Sequence, residues 1–483
     1  MKHRQFGSKS EKMNLYYEQF SFLFDEAELI VEAEENLEQS RKVSDQSKTQ
    51  PKKRGRKKLT EMNPDLEIRE INHAMEELLD QGYDIIGHKQ QETFRFIPAQ
   101  FFIERHIYPV YRKEMADGCE DIRSLYQGNG FLSKSNASPE IVAAIMNDKY
   151  AKGLPLYRIE ESFKNLGFNC SRQTMSNWLI HVAQRYGQPL IKHMKEDLLS
   201  QDIVHCDETT VKVLKHQDGS TNKTSYMWLY RSGEHADNIL VYDYRPTRQH
   251  QWASAFLQGF SGYLQSDGYP AYQKVENTIQ VGCLAHGRRQ LKEAVDVMGK
   301  RSSGVTQSIG ILKTMNRLFK EDQKLRLLDL EAKQTQRLQI LGPLFDALHQ
   351  QLTEASNQLL PKSVLGKAIQ YNLNQFDSFQ RVLLDPRLEL SNNRAERGIK
   401  PFVMGRKAWL FSNTTKGAKE SVTIYSLVQS AKENGLQVER YLIYVFEMMS
   451  QRDDHEWTPA FKNCLVPHSK HLPSELYTSK KQR

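Results

Sequence analysis

Apolar and polar residues change their period several times along this chain, and each change predicts a different kind of element. Between residues 202 and 267, β-branched and aromatic residues form strand-like runs over 202–214, 225–231, 238–244 and 262–266, with a helical run over 247–259 before the last strand. Residues 280–283 predict a fifth strand that leads into a helix at His286.

Three strands, a helix and a further strand are the opening order of a ribonuclease-H-like sheet, which we weigh against other mixed α/β layouts. The leucine- and glutamine-rich stretch 301–384 predicts a helical insertion, and residues 421–434 and 438–449 predict two helices packed on the same body. The sequence therefore predicts a catalytic domain in two pieces, 200–300 and 385–450, followed by a C-terminal tail over 451–483.

Residues 138–190 carry a helical period and predict a helix-turn-helix region. One helix follows Pro155, and Ser171 caps the next, whose Met175, Leu179 and Val182 lie on one apolar face. Four polar residues lie near the exposed start of that second helix, where a recognition helix presents side chains to base edges: Arg172, Gln173, Ser176 and Asn177. A plain helical hairpin packed against a neighbour is the alternative.

The region before residue 138 is more polar. Aromatic and β-branched residues over 92–111, with a Pro-Ala break, predict a pair of strands in a small β module over 61–118. Residues 1–60 predict a disordered region, in which 48–58 carries seven basic residues and no acidic one. Arg54 and Arg56 flank a glycine, a pattern suited to the DNA minor groove, although a solvated basic linker explains it equally well.

Composition narrows the class of protein. The chain has 483 residues, 39% of them hydrophobic, and a net charge of +8. It has no apolar stretch near the roughly 20 residues of a membrane-spanning helix and no secretory signal. Five scattered cysteines fit a reducing compartment, so we expect a cytoplasmic, nucleoid-associated protein with no membrane partner. The uneven positive charge favours nucleic acid as the partner.

Three acidic residues stand at the ends or starts of these elements. Asp207 and Asp267 lie at strand-like runs, and Glu396 opens a helix-like run. Magnesium takes oxygen ligands from a few carboxylates, and two such ions roughly 3.5 to 4 Å apart stabilise the entering and leaving oxygens of a displacement at phosphorus. Their convergence would form a two-magnesium site that cuts and joins DNA.

Strand alternation separates the candidates on the first strand. Asp207 and the neighbouring Glu208 point to opposite faces of the strand. This alternation favours Asp207 as the metal-binding residue. The same alternation argues against a zinc site built from His205, Cys206, Cys283 and His286, because neighbours His205 and Cys206 diverge.

Glu396 follows Ser391, a plausible N-cap, so it falls in the first turns of a helix whose positive end tolerates a carboxylate. Basic residues around it are candidate ligands of DNA phosphates: Arg394, Arg397, Lys400, Arg406 and Lys407. The alternative is a surface helix with ordinary ion pairs.

At these residues the chain resembles bacterial DDE transposases of the insertion sequence 66 family, over about residues 5 to 450. Five motifs carry the resemblance: FGSKSEK at 6–12, GLPLY at 153–157, SDGYPAY at 266–272, CLAHGRR at 283–289, and SNNRAER at 391–397 continuing through KPF at 400–402.

The resemblance implies a ribonuclease-H-like domain with a helical insertion and Asp207, Asp267 and Glu396 as the catalytic, metal-binding triad. It implies magnesium, with manganese as a substitute, and a transposase that binds element ends, cleaves DNA and transfers strands. Cys283 and His286 match a Cys-x-x-His signature that supports the active site in several such families, although a buried structural pair explains them equally well. DNA, a homo-oligomer on DNA and small accessory proteins are the implied partners.

The chain departs from the family pattern twice. It begins almost at the FGSKSEK motif, without the longer zipper-like segment of its relatives, which weakens the expectation of N-terminal self-association. Residues 71–113 contain no cysteine, so we expect the β module to lack the zinc of its relatives and to bind no metal. These departures keep a second function open, a decayed transposase that binds DNA without cleaving it.

Overall fold

A mixed sheet organises the centre of the molecule. The computed structural model describes residues 100–114, 120–124, 131–133, 135–216, 218–298 and 304–478. Its strands, in chain order, are β1 Val110–Glu114, β2 Glu120–Ser124, β3 Ile203–Lys215, β4 Thr221–Ser232, β5 Leu240–Arg245, β6 Gly262–Gln265, β7 Thr278–Val281 and β8 Ser412–Thr414.

The large sheet has the order β5-β4-β3-β6-β7. Strand β3 is central, antiparallel to β4 and parallel to β6, and β8 pairs in parallel with its far end. Strand β5 is antiparallel to β4, and β7 is parallel to β6. The five strands expected between residues 202 and 283 are present, and β4 begins four residues before its expected start.

Helices cover both the sheet and its flanks. In chain order they are α1 Pro139–Met146, α2 Leu156–Asn165, α3 Arg172–Val182, α4 Gln188–Leu199, α5 His250–Phe256, α6 Leu284–Met298, α7 Val305–Lys324, α8 Leu330–Gln358, α9 Val364–Gln380, α10 Asn393–Trp409, α11 Thr415–Glu433, α12 Val438–Ser450 and α13 Pro459–Asn463. None of the helices within the described residues is long and apolar enough to cross a membrane.

Helix α11 covers the outer edge of the sheet at β5. The backbone N–H groups of Leu240 and Tyr242 donate to the hydroxyls of Ser430 and Ser426, each at 2.9 Å. These hydroxyls satisfy donors that an uncovered edge strand would leave free to pair with another chain. Helix α11 therefore covers this edge of the sheet. Loops and helix ends converge instead on the side of β3 that faces away from β5.

Helices α2 and α3 lie where the sequence predicts two helices joined by a turn. The Ser171 hydroxyl caps α3 by accepting from the backbone N–H of Thr174 at 3.1 Å. Met175, Leu179 and Val182 are buried, as the apolar stripe predicts. Pro155 differs from the expectation by one position, because it is the N-cap of α2 rather than its first helical residue.

The stretch predicted as a helical insertion contains α7, α8 and α9, which share an apolar core with α6 and β7. Arg337 on α8 is 1% exposed and pairs with Asp322 on α7 at 2.8 Å. Burying a charge is costly unless it is paired, so this ion pair fixes how α7 and α8 align.

Three expectations for the flanks need correction. The predicted strand pair over 92–111 is wrong for its described part, since residues 100–109 form no strand and the hairpin instead joins β1 to β2. The predicted C-terminal tail packs on the body through residue 478, with Leu465 fully buried and its carbonyl accepting from the Tyr441 hydroxyl at 2.8 Å. Helix α10 is capped by Asn392 rather than Ser391.

Candidate active site

Asp207 and Asp267 come from neighbouring parallel strands. In the register of β3 with β6, Val204 faces Leu264 and His205 faces Gln265. Asp207 lies two residues beyond His205, and Asp267 lies two residues beyond Gln265, just after β6 ends. Because neighbouring strands are about 4.8 Å apart, this register places the two aspartates side by side.

Asn392 fastens the start of α10 to the same place on β3. Its side-chain amide donates to the Cys206 carbonyl at 2.7 Å, and its Oδ1 lies 3.1 Å from Nδ1 of His205. Six residues later, Gly398 lies against the sheet so closely that a Cβ there would come within 2.7 Å of Leu229 Cδ2. This close approach brings Glu396, in the first turn of α10, near enough to Asp207 for its charge to raise the pKa of that aspartate.

The electrostatics show that the three carboxylates share one environment. Burial raises the pKa of Asp207 well above its usual range, and the charges of Glu208, Glu396 and Asp267 raise it further. Burial also raises the pKa of Glu396, but contacts with His286 and Arg289 outweigh that effect and hold it below its usual range. Negative charge therefore accumulates around Asp207, as in a site that holds a cation.

Glu208 also lies at this candidate site, although the alternation of side chains along the strand favoured Asp207 over it. Its side chain is 2% exposed and lies on the opposite face of β3 from Asp207. The Tyr272 hydroxyl donates to Glu208 at 2.5 Å, and Nε of Arg248 donates to it at 2.7 Å. Burial raises the pKa of Glu208, and the charge of Asp267 raises it further. In the sequence, the two tyrosines of the SDGYPAY motif were the signal that could have pointed to Glu208. Tyr272 binds Glu208 directly, and the Tyr269 hydroxyl donates to the carbonyl of Arg248, the other partner of Glu208.

Cys283 and His286 lie beside Glu396. Nδ1 of His286 is 3.6 Å from Oε1 of Glu396, and the backbone N–H of Asn392 donates to the Cys283 sulfur at 3.1 Å. Burial lowers the pKa of His286, but contacts with Cys283 and Glu396 raise it to about 11. Burial raises the pKa of the Cys283 thiol. His205 instead contacts Asn392 and Glu389, and the metal-donor group found among the described residues holds Cys283, His286 and Glu396 without His205 or Cys206, so the four-residue zinc cluster weighed from sequence does not assemble.

The basic residues of α10 fall into two groups. Arg394 is 12% exposed and pairs with Glu389 at 2.7 Å, which is not the free position expected of a phosphate ligand. Arg406 donates to the side chain of Thr210 at 2.9 Å. Arg397 and Lys407 are exposed and Lys400 is half-buried. The exposed members remain the better candidates for contact with DNA.

The predicted recognition residues lie at the start of α3. Arg172, Gln173 and Asn177 are exposed, and Ser176 is half-buried. The Gln173 amide donates to Asn177 Oδ1 at 3.1 Å, one turn away. Arg54 and Arg56 lie outside the described residues, as does most of the predicted β module.

Comparison with known proteins decides the family. A family model described as "Transposase IS66 family" matches residues 134–420, which contain all three carboxylates and the helices that place them. The chain belongs to the IS66 transposase family. A second model, described as "Transposase C of IS166 homeodomain", matches residues 1–71, ahead of the described part of this transposase. Together they mark it as a DNA-binding protein of an insertion sequence.

Three relatives of this transposase come from Sinorhizobium fredii (strain NBRC 101917 / NGR234). Uncharacterized protein y4qI is 28% identical over 489 residues, which cover 96% of this chain and 86% of that protein. Uncharacterized proteins y4jD and y4hP are 26% and 24% identical, over 75% and 78% of this chain and 72% and 70% of their own lengths. The similarity therefore extends through the whole body and is not confined to the acidic motifs.

Proposed function

We propose that this transposase binds the ends of its insertion element and catalyses metal-dependent DNA cleavage and strand transfer at Asp207, Asp267 and Glu396. The observation that carries the proposal is the convergence of these carboxylates from β3, the end of β6 and the first turn of α10. The charges of Glu396 and Asp267 both raise the pKa of Asp207, which supports a shared site around Asp207.

The sheet supports the same proposal. Three antiparallel strands followed by two parallel ones, in the order β5-β4-β3-β6-β7, support the proposal of a ribonuclease-H-like layout. In that layout the helical stretch α7 to α9 interrupts the domain between α6 and α10. We therefore assign residues 200–300 and 385–450 to a DDE-type catalytic domain with a helical insertion.

The residues present fit a divalent cation. Asp207 is buried among like charges, and Oε1 of Glu396 is buried with no hydrogen-bond partner among the described residues. A bound cation would neutralise this charge and occupy the free oxygen. Carboxylate oxygens suit magnesium, with manganese as a substitute, and two such ions supply stabilisation of the entering and leaving oxygens at phosphorus.

The chain itself positions the substrate and the ligands. Asn392 and Gly398 hold α10 on the sheet, which fixes the position of Glu396 in its first turn. We assign the exposed face of α3, with Arg172, Gln173, Ser176 and Asn177, to element ends, and the exposed cations of α10 to phosphates. Water attacks the phosphorus at an element end and O3′ leaves; the freed 3′ hydroxyl then attacks a target phosphodiester and displaces a second O3′.

A nicking assay on labelled element-end DNA with magnesium tests the proposal. Asp207→Asn, Asp267→Asn and Glu396→Gln should each lower the cleavage rate by more than about 10³-fold, since each removes several kcal/mol of transition-state stabilisation. Lys324→Gln, on the distant insertion, is the matched control and should cleave at the wild-type rate. Cleavage by all three carboxylate variants at that rate would remove the triad. Shifted gel bands without cleavage by the wild-type protein would support the binding-only function instead.

A further inference from the structure

Cys283, His286 and Glu396 form a compact group of three different donors. One sulfur, one imidazole nitrogen and one carboxylate oxygen all lie within 4.8 Å of one another. Nδ1 of His286 and Oε1 of Glu396 are both buried without a hydrogen-bond partner among the described residues, and the 3.6 Å between them is the distance of an ion pair, longer than a hydrogen bond. Two unsatisfied buried atoms that face the same point are expected where a ligand binds.

The donors are held on two segments that are tied together. Cys283 immediately precedes α6 and His286 lies in its first turn, so a spacing of three residues puts both on one side of the helix. Backbone N–H groups connect this start to the segment before α10, from Asn392 to the Cys283 sulfur at 3.1 Å and from Leu284 to the Leu390 carbonyl at 2.9 Å. The group is therefore preformed and needs little rearrangement to take an ion.

The chemistry of the donors differs from that of the acidic site. Thiolate and imidazole ligands suit zinc and similar cations, whereas magnesium prefers oxygen ligands alone. Cys283 and Glu396 are almost fully buried, but the His286 side chain is 27% exposed, which leaves a way in and room for a water as fourth ligand. Arg289 contacts Oε2 of Glu396 at 3.5 Å, so Oε1 is the oxygen left for a cation.

We propose that Cys283, His286 and Glu396 bind a thiophilic divalent cation of the zinc class, and that this cation inhibits DNA cleavage by withdrawing Glu396 from the magnesium site. The first part of this proposal, that the group binds a cation, rests on the donor set alone and is called the binding half. The second part, that the cation inhibits cleavage, rests on the proposed function and is called the inhibitory half. The sequence led us to expect no zinc, because residues 71–113 contain no cysteine and because strand alternation separates His205 from Cys206.

Cadmium titration of the full chain tests the binding half, because thiolate coordination produces an ultraviolet charge-transfer absorption. The wild type should show a saturable band that Cys283→Ser abolishes. Cys464→Ser, at a half-buried cysteine outside the group, should retain it. His286→Gln keeps the thiol and should weaken cadmium binding by at least tenfold, which decides the matter if Cys283→Ser does not fold. Absence of a saturable band, or its persistence in Cys283→Ser, would overturn the site.

Zinc titration of magnesium-dependent nicking tests the inhibitory half. Micromolar zinc should inhibit the wild type, and the concentration for half inhibition should rise at least tenfold in Cys283→Ser and His286→Gln, measured relative to the basal rate of each variant. Equal sensitivity of all three proteins would overturn inhibition through this group. If the wild type does not nick DNA at all, the proposed function fails while the cadmium result still decides whether the group binds a metal.

Discussion

The acidic site and the start of helix α3 are built in opposite ways. Around Asp207 the polar contacts join distant parts of the chain, such as His205 with Asn392, which are 187 residues apart. On α3 the contacts are local, with Gln173 bonded to Asn177 four residues later and Ser171 capping its own helix. The first region exists only when the whole domain has folded, whereas the polar face of α3 depends on little besides its own helix.

That difference predicts unequal costs for the same substitution in the two regions. Asn392→Ala removes the side chain that donates to the buried Cys206 carbonyl and that contacts Nδ1 of His205, so it should lower the free energy of unfolding by about 3 kcal/mol. Asn177→Ala removes only an exposed, local contact and should change stability by less than about 0.5 kcal/mol. Urea unfolding of the two variants beside the wild type measures both. Similar losses in the two variants would contradict the comparison.

The buried histidine sharpens the comparison through pH. Burial lowers the pKa of His205 to about 4, although Glu389 opposes this effect. In the unfolded protein this imidazole takes up its proton at about pH 6.5. The contribution of neutral His205 to the free energy of unfolding is therefore fully present above that pH. It is lost as pH falls towards about 4, by at most about 1.4 kcal/mol per pH unit. His205→Gln cannot bind this proton.

Chemical denaturation at several pH values between 7 and 4 gives the measurement. The wild type should lose stability more steeply than His205→Gln over this window, whatever their absolute stabilities. His181→Gln, at an exposed histidine on α3, is the matched control. Parallel slopes for the wild type and His205→Gln would show that the folded and unfolded states bind this proton equally, which contradicts the lowered pKa of His205.

The same contrast explains what could be predicted from sequence. The strands of the central sheet and the cap and apolar stripe of α3 follow from local periodicity, and the structure confirms them. Glu208 was set aside because the alternation of side chains shows which face of β3 a residue lies on but not what packs against that face. Tyr272, which lies 64 residues later, donates to Glu208 there. Arg394 looked like a phosphate ligand because its partner Glu389 is visible only after the chain turns before α10. The group formed by Cys283, His286 and Glu396 likewise joins motifs that are about a hundred residues apart.

The smallest effects are expected on the exposed face of α3, and they should appear in binding alone. Arg172→Ala should weaken binding to element ends by about 1 kcal/mol and reduce the slope of log affinity against log salt by about one if its guanidinium contacts a phosphate. Gln173→Ala should cost a similar amount but leave the salt slope unchanged, because a neutral amide releases no counterion. Fluorescence anisotropy at several salt concentrations distinguishes the two. If neither variant changes affinity while both fold normally, α2 and α3 form a packing hairpin, and end recognition must come from another part of the chain.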